Sequence, residues 1–396
     1  MSAAGRRAFP WDMLRGFSFG VVISSAQAFS LLIAIEYFDS SETQKALIAS
    51  AASIGLLISL FYTSWAPMLR KSTFAAALPF FLTALALAAC AISMQSLTFA
   101  VCATLGGACA ALSSPLLTGI YQANYRASVR GQVYGLTVVL SSLSSVLAGK
   151  FGGAWLDAGM EHFRLLYCVL AGFGLLAGAA ILRLPSTNIR PSAEANPFLS
   201  FKVVWENPAF GYVLFAWFVF GFANLMLNPQ RIEFITNARY GIQLNPERVM
   251  LVIIVVTELT RLVMIPVWAR LFDRFNFIYL RMILNCCFLA SHAIYFLVPG
   301  FLSLVVGAMF LGSGFGGGAV AWQLWVTKFA PEEQTAKYMA VHTCLCGLRG
   351  ILAPFLGYFL LNHISMPATV CLALATILAS IFMMIPIRHM GERRKA

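Results

Sequence analysis

Charge is what this chain has least of. Only 11% of its 396 residues are Asp, Glu, Lys or Arg, where a soluble domain carries about 25%, so there are too few to cover a surface in water. Other features are missing as well. No Gly-x-x-x-x-Gly-Lys loop is present, which argues against an ATP-driven pump. No Asn-x-Ser/Thr sequon occurs, which favours a bacterial membrane. The nine cysteines suggest no disulfide framework, and Cys344-Leu345-Cys346 lacks Cys or His at ligand spacing around it, so no metal site is expected. No nucleophile–base constellation appears, so no enzyme activity and no cofactor are expected. The first apolar run has no small-residue cleavage site after it and is expected to be retained.

What is present is hydrophobic length. Hydrophobic residues make up 60% of the chain, and mean hydropathy is +0.81. Apolar runs long enough to cross about 30 Å of hydrocarbon as helices recur at 16–37, 45–66, 73–93, 97–121, 132–155, 164–183, 209–228, 249–269, 277–297, 300–322, 338–361 and 366–387. The net charge of +12 does not indicate nucleic acid, because the basic residues sit in short runs between spans. With both termini inside, 19 of the 27 Lys and Arg fall in cytoplasmic segments, Arg15 and Arg281 among them. Five (Lys45, Arg164, Arg231, Arg239 and Arg248) fall outside, and Lys150, Arg261 and Arg349 lie within spans. Positive charge on the inner side sets orientation, so an even number of spans with both ends cytoplasmic is expected, in a bacterial inner membrane. Spans 7 and 8 should be joined by an outer loop holding Arg231, Glu233 and Arg239.

The chain divides near its middle. Residues 184–208 are polar and contain Pro185, Pro191 and Pro197, with 198–205 expected as a short helix on the inner membrane surface. Either side of this linker the sequence repeats. Phe17-Ser18-Phe19-Gly20 returns as Phe218-Val219-Phe220-Gly221, and Trp65-Ala66 as Trp268-Ala269. Tyr134, Phe151 and Gly153 return as Tyr338, Phe355 and Gly357. The order is kept and the offset drifts only from 201 to 204. The expected organisation is an all-α membrane protein of twelve transmembrane helices in two pseudo-symmetric six-helix bundles, 1–183 and 209–396, joined by the cytoplasmic linker 184–208. Such repeats place a solute site near the bilayer midplane.

The segment Ala269-Arg270-Leu271-Phe272-Asp273-Arg274-Phe275-Asn276 is similar to the G-x-L-x-D-R-x-G motif of the major facilitator superfamily, and the whole chain resembles that family. The resemblance implies alternating access, with Asp273 and Arg274 as gate residues near Arg126 and Arg130 at the start of span 5.

Few ionisable residues fall well inside spans, and each costs about 2.5–3.5 kcal/mol at a helix centre. Glu258 and Arg261 share one face of span 8 at i and i+3. Arg349 lies mid-way along span 11, with His342 two turns from it on the same stripe. The N-terminal half is expected to hold nothing comparable. Read as structure, Glu258–Arg261 is an ion pair locking helices, and His342 is a core histidine. Read as function, Glu258 carries a proton with His342 as relay, and Arg261 and Arg349 hold an anion, since one carboxylate leaves two arginines unbalanced. The monocarboxylate transporters show a similar acid–arginine spacing. Gln27, Asn224, Trp322 and Gln323 lie on helices that line the cavity in the resembled family, and either bind solute or bond neighbouring helices. Ser141, Ser142, Ser144 and Ser145, and the run Gly312 to Gly318, read as close helix packing. The expected function is a monomeric secondary transporter, with proton-coupled symport of a small organic anion ahead of efflux of an amphipathic compound. A non-transporting assembly factor or receptor on the same fold is the third reading.

Overall fold

The computed structural model describes residues 3–186, 201–326, 329–331 and 334–388. Among these residues the chain is helical throughout and has no strand. Helix α1 runs from Ala3 to Ser24, through a π-helical turn at Ser25–Phe29, and on as Ser30–Glu36. It begins thirteen residues before the apolar run at 16, so Asp12 and Arg15 belong to the helix and not to a loop. Next come α2 (Glu42–Leu69), α3 (Ser72–Ala91), α4 (Ser96–Asn124), α5 (Ser128–Ala158) and α6 (Met160–Leu182). The second half supplies α7 (Pro208–Thr236), α8 (Pro246–Arg274) and α9 (Phe277–Leu297). It ends with α10 (Phe301–Leu324), α11 (Thr335–His363) and α12 (Met366–Met384). Of the expected surface helix at 198–205, residues 201–205 lie within the described residues, and a single helical turn, Val203–Glu206, begins among them.

The helix ends follow from local chemistry. Ser41 and Gln44 form a capping box at the start of α2, satisfying two otherwise orphaned backbone donors. Asn207, Asn245 and Ser365 each accept from a first-turn N–H, with Pro at the first or second helical position behind them. Gly300, at φ +106°, makes the turn between α9 and α10, where a side chain would be strained.

The surface is inverted relative to a soluble protein. Leu85, Phe382 and Leu302 are 69%, 58% and 75% exposed, while Ser291, His292 and Asn285 are fully buried. Apolar side chains facing outward from unbroken helices are what a bilayer requires, because no backbone group is left to seek water.

The chain forms two compact units, residues 1–195 with 243–255, and residues 196–242 with 256–396. In the first unit α1 packs on α5 and α6, α2 on α4, and α3 on α4 and α6. In the second, α7 packs on α11 and α12, α8 on α10, and α9 on α10 and α12. The same pairing recurs with every helix number raised by six. The stretch 243–255, which includes the first turns of α8, groups with the first unit. There Asn245 Nδ2 donates to Asp157 Oδ2 (3.1 Å), and Ile254 and Met250 face Gly149 and Gly153 of α5. The second unit resumes inside the π-helical turn Leu251–Val256 of α8.

The repeated Phe-x-Phe-Gly motif has a packing role in both units. A Cβ on Gly20 would collide with the Ser141 carbonyl and the Ser144 hydroxyl of α5, and Ser144 Oγ donates to Phe17 O at 2.6 Å. A Cβ on Gly221 would collide with the Arg349 guanidinium of α11. The same glycine therefore admits serine in one unit and arginine in the other.

Candidate functional site

Among the described residues of the second unit, two groups of ionisable side chains contain the residues singled out on α8 and α11. In the first, Arg261 Nη1 lies 3.1 Å from both carboxylate oxygens of Glu258. The Glu258 side chain is 5% exposed and that of Arg261 26%, so the carboxylate is sealed and the guanidinium is partly open. The glycine run of α10 sets this pair. Gly312 lies against Thr257 O and Thr260, and Gly316 against Arg261 O and Ile265 N. Close backbone approach through small residues spaced four apart is how membrane helices pack without a hydrophobic drive. Here it fixes the turn of α8 that carries both charges.

The second group surrounds Trp217 of α7. Arg349 Nη1 donates to Trp217 O at 2.6 Å, and Arg281 of α9 lies with Cζ 3.8 Å from the Trp217 ring centroid and 4.6 Å from that of Phe220. His342 is fully buried, edge-on to the rings of Trp217 (5.2 Å) and Trp325 (5.0 Å), with Cys346 Sγ 3.7 Å from its Nε2. Arg349 and His342 are thus brought together, as their shared stripe on α11 implies. Arg281 is missed by a reading that assigns it to a cytoplasmic segment: it is one turn inside α9 and 3% exposed.

The remaining sequence candidates are dispersed. Asn224 Oδ1 and His292 Nε2 lie 2.9 Å apart, bonding α7 to α9. Gln27 lies in the π-helical turn of α1, and Trp322 and Gln323 in the last turn of α10; their side chains lie outside the description. Asp273 and Arg274 end α8 and are exposed. Arg126 is exposed beside the start of α5, and Arg130 donates to the Tyr125 and Gln122 carbonyls.

Two further expectations fail. The N-terminal half does hold a buried pair: Asp12 and Arg15 are 1% and 5% exposed and 2.9 Å apart. Arg15 Nη2 donates to Tyr121 Oη (2.9 Å) and Tyr125 Oη to Asp12 Oδ2 (3.3 Å). The i, i+3 spacing matches that of Glu258–Arg261 but lies before the apolar run. Nor are Arg231 and Glu233 in an outer loop. After Asn228-Pro229 the chain re-enters a helix, Gln230–Thr236, in which both are buried. Arg231 sits with Cζ 4.5 Å from the Tyr295 ring. Only Arg239, in the turn Ala238–Tyr240 and 45% exposed at its side chain, lies in the connection as expected.

The sequence matches the Major Facilitator Superfamily over residues 15–354 and again over 242–396. No curated protein matches it in sequence. Among solved structures it is similar to a POT family transporter in complex with 5-aminolevulinic acid, with TM-score 0.79, 11% identity, and 97% of this chain and 96% of that one covered. It is similar to a point mutant of the nucleoside transporter NupG, with TM-score 0.78, 11% identity and coverage of 96% and 99%. The human organic anion transporter MFSD10 (TETRAN) aligns with TM-score 0.69, 14% identity and coverage of 97% and 100%. The identities are low, and what is shared is the fold. With the family match spanning the chain, the helix pairing repeated between units and the apolar exterior, this chain belongs to the major facilitator superfamily: it is an integral membrane secondary transporter of a small molecule, not an enzyme.

Proposed function

We propose that the protein moves a small organic anion in symport with protons across a bacterial inner membrane, its termini on the cytoplasmic side. Glu258 carries the proton and Arg261 is the group it releases. One observation carries this reading: a sealed carboxylate whose two oxygens share a single nitrogen of a partly open guanidinium. When Glu258 is ionised it neutralises Arg261. When Glu258 is protonated, Arg261 is left as an uncompensated cation in a low-dielectric site, and the anionic group of a solute replaces the lost charge. Loss of the proton on the far side restores the pair and displaces the anion. Proton and anion therefore travel together.

Glu258→Gln is expected to abolish accumulation driven by a proton gradient yet to leave counterflow exchange, which needs no net proton movement. A purely structural pair behaves differently. Either single neutral variant would break the ion pair and lower stability, and the double variant Glu258→Gln/Arg261→Gln would recover stability and transport together. Accumulation against a gradient by that double variant would overturn the proton-coupling role.

A further inference from the structure

We propose that Arg281 and Arg349 form a two-guanidinium site, separate from the Glu258–Arg261 pair, that binds a second carboxylate or phosphate group of the transported solute, besides the one that replaces Glu258 at Arg261. The proposal deepens the anion reading above and rests on it.

The two arginines come from different helices, α9 and α11, and meet at one residue of a third. Arg281 lies on the face of the Trp217 ring, and Arg349 is bonded to the carbonyl of the same residue. His342 is edge-on to the ring of the same Trp217, with ring centroids 5.2 Å apart. The two arginines are 3% and 6% exposed. Neither forms an ion pair among the described residues, and the Nε of each is buried without a hydrogen-bond partner. Arg281 makes no hydrogen bond among the described residues; the rings of Trp217 and Phe220 are its contacts.

A ring face attracts a cation by about 0.5–2 kcal/mol. Removing an ion from water costs several kcal/mol even after relaxation. The aromatic contacts therefore fall short for one guanidinium, and a second charge of the same sign beside it widens the gap. An anion closes it for both. The donors suit an oxyanion: among the described residues the Arg281 fork and the Arg349 Nε have no oxygen acceptor, Cys346 being the side chain beside Arg349, and a guanidinium fork matches a carboxylate or phosphate in two-point contact. Trp217, Trp325 and His342 pack ring against ring at this point, and a low local dielectric strengthens each such bond. Gly221 fits the same arrangement, for its missing side chain is what lets the Arg349 guanidinium lie against α7.

The test uses the full-length protein purified in detergent, with thermal unfolding followed as either sodium benzoate or inorganic phosphate is raised at constant ionic strength set by chloride. A probe that binds the folded state raises the midpoint. Wild type is expected to respond to at least one probe, and Arg281→Gln and Arg349→Gln each to weaken the apparent dissociation constant about 10- to 100-fold, the loss of a charge-assisted bond. A response to benzoate alone assigns a carboxylate, to phosphate alone a phosphate, and to both an oxyanion of either kind. If a Gln variant does not fold, Arg281→Lys keeps the charge and removes the fork, and is expected to weaken binding about tenfold. The series is repeated in Glu258→Gln, where the part of the response that depends on Arg281 and Arg349 should persist. A coupling failure at Glu258 would then appear in transport assays while this readout stands. Absence of any wild-type response, or a response that survives in both Gln variants, overturns the site.

Discussion

At the scale of single residues, the second unit depends on what stands opposite Gly221. Its counterpart Gly20 faces Ser141 and Ser144, whereas Gly221 faces the Arg349 guanidinium. A Cβ at 221 meets Arg349 Cζ, Nη1 and Nε together, so Gly221→Ala should push Arg349 off the Trp217 carbonyl without removing its charge. Overpacking of this kind costs about 1–3 kcal/mol. The expected outcome is a lower melting temperature and loss of anion-dependent stabilisation; an unchanged anion response would show that Arg349 need not lie against α7. The buried arginines also mark where sequence reading stops. Glu258 and Arg261 are legible because they interrupt an apolar run at one-turn spacing. Asp12 and Arg15 have the same spacing, but they precede the run at 16, where a charge can equally reach water. Arg281 and Arg231 likewise lie within a turn or two of a span end. What turns them inward is Trp217 and Tyr295, aromatic faces on helices remote in sequence, and no local pattern announces those.

At the scale of helices, the glycines of α10 separate packing from mere composition. Gly312 lies against Thr257 O and Thr260, while Gly318 has nothing within 4 Å of where its Cβ would stand. Gly312→Ala should therefore force α8 and α10 apart and destabilise the protein by about 1–3 kcal/mol. Gly318→Ala should be neutral or stabilising by up to about 1 kcal/mol, since Ala is the better helix former. Thermal midpoints of the two variants check this, and equal losses would mean that α10 does not pack through one glycine face. The end of α8 carries a second test. Asp273 is an exposed acid in the last turn, where the helix dipole disfavours negative charge, so helix stability is not the reason for it. We propose for it the gate role that the resemblance of 269–276 to the family motif implies. Asp273→Asn should leave the melting temperature unchanged or slightly raised and shift the conformational equilibrium toward the inward-open form. Spin-label distances across the helix ends on the Asp273 side that do not change would remove Asp273 from the gate.

At the scale of the whole molecule, the spans and their repeat are readable because a bilayer imposes a length on every crossing and because the two halves share a motif at Phe17–Gly20 and Phe218–Gly221. Sidedness is a separate matter, resting on the distribution of Lys and Arg, and the connection between α7 and α8 tests it. Two arginines expected in one loop have different surroundings. Arg239 is 45% exposed at its side chain, whereas Arg231 is 3% exposed and packed on Tyr295. In a variant lacking the nine native cysteines, Arg239→Cys should react with a membrane-impermeant thiol reagent added outside intact cells. Arg231→Cys should react from neither side, although it lies only eight residues earlier. The pair of results separates orientation from fold. Reaction of position 239 only from the cytoplasmic side would invert the topology and leave the helices as described. Ready reaction of position 231 would instead mean that Gln230–Thr236 does not hold its arginine inside the second unit.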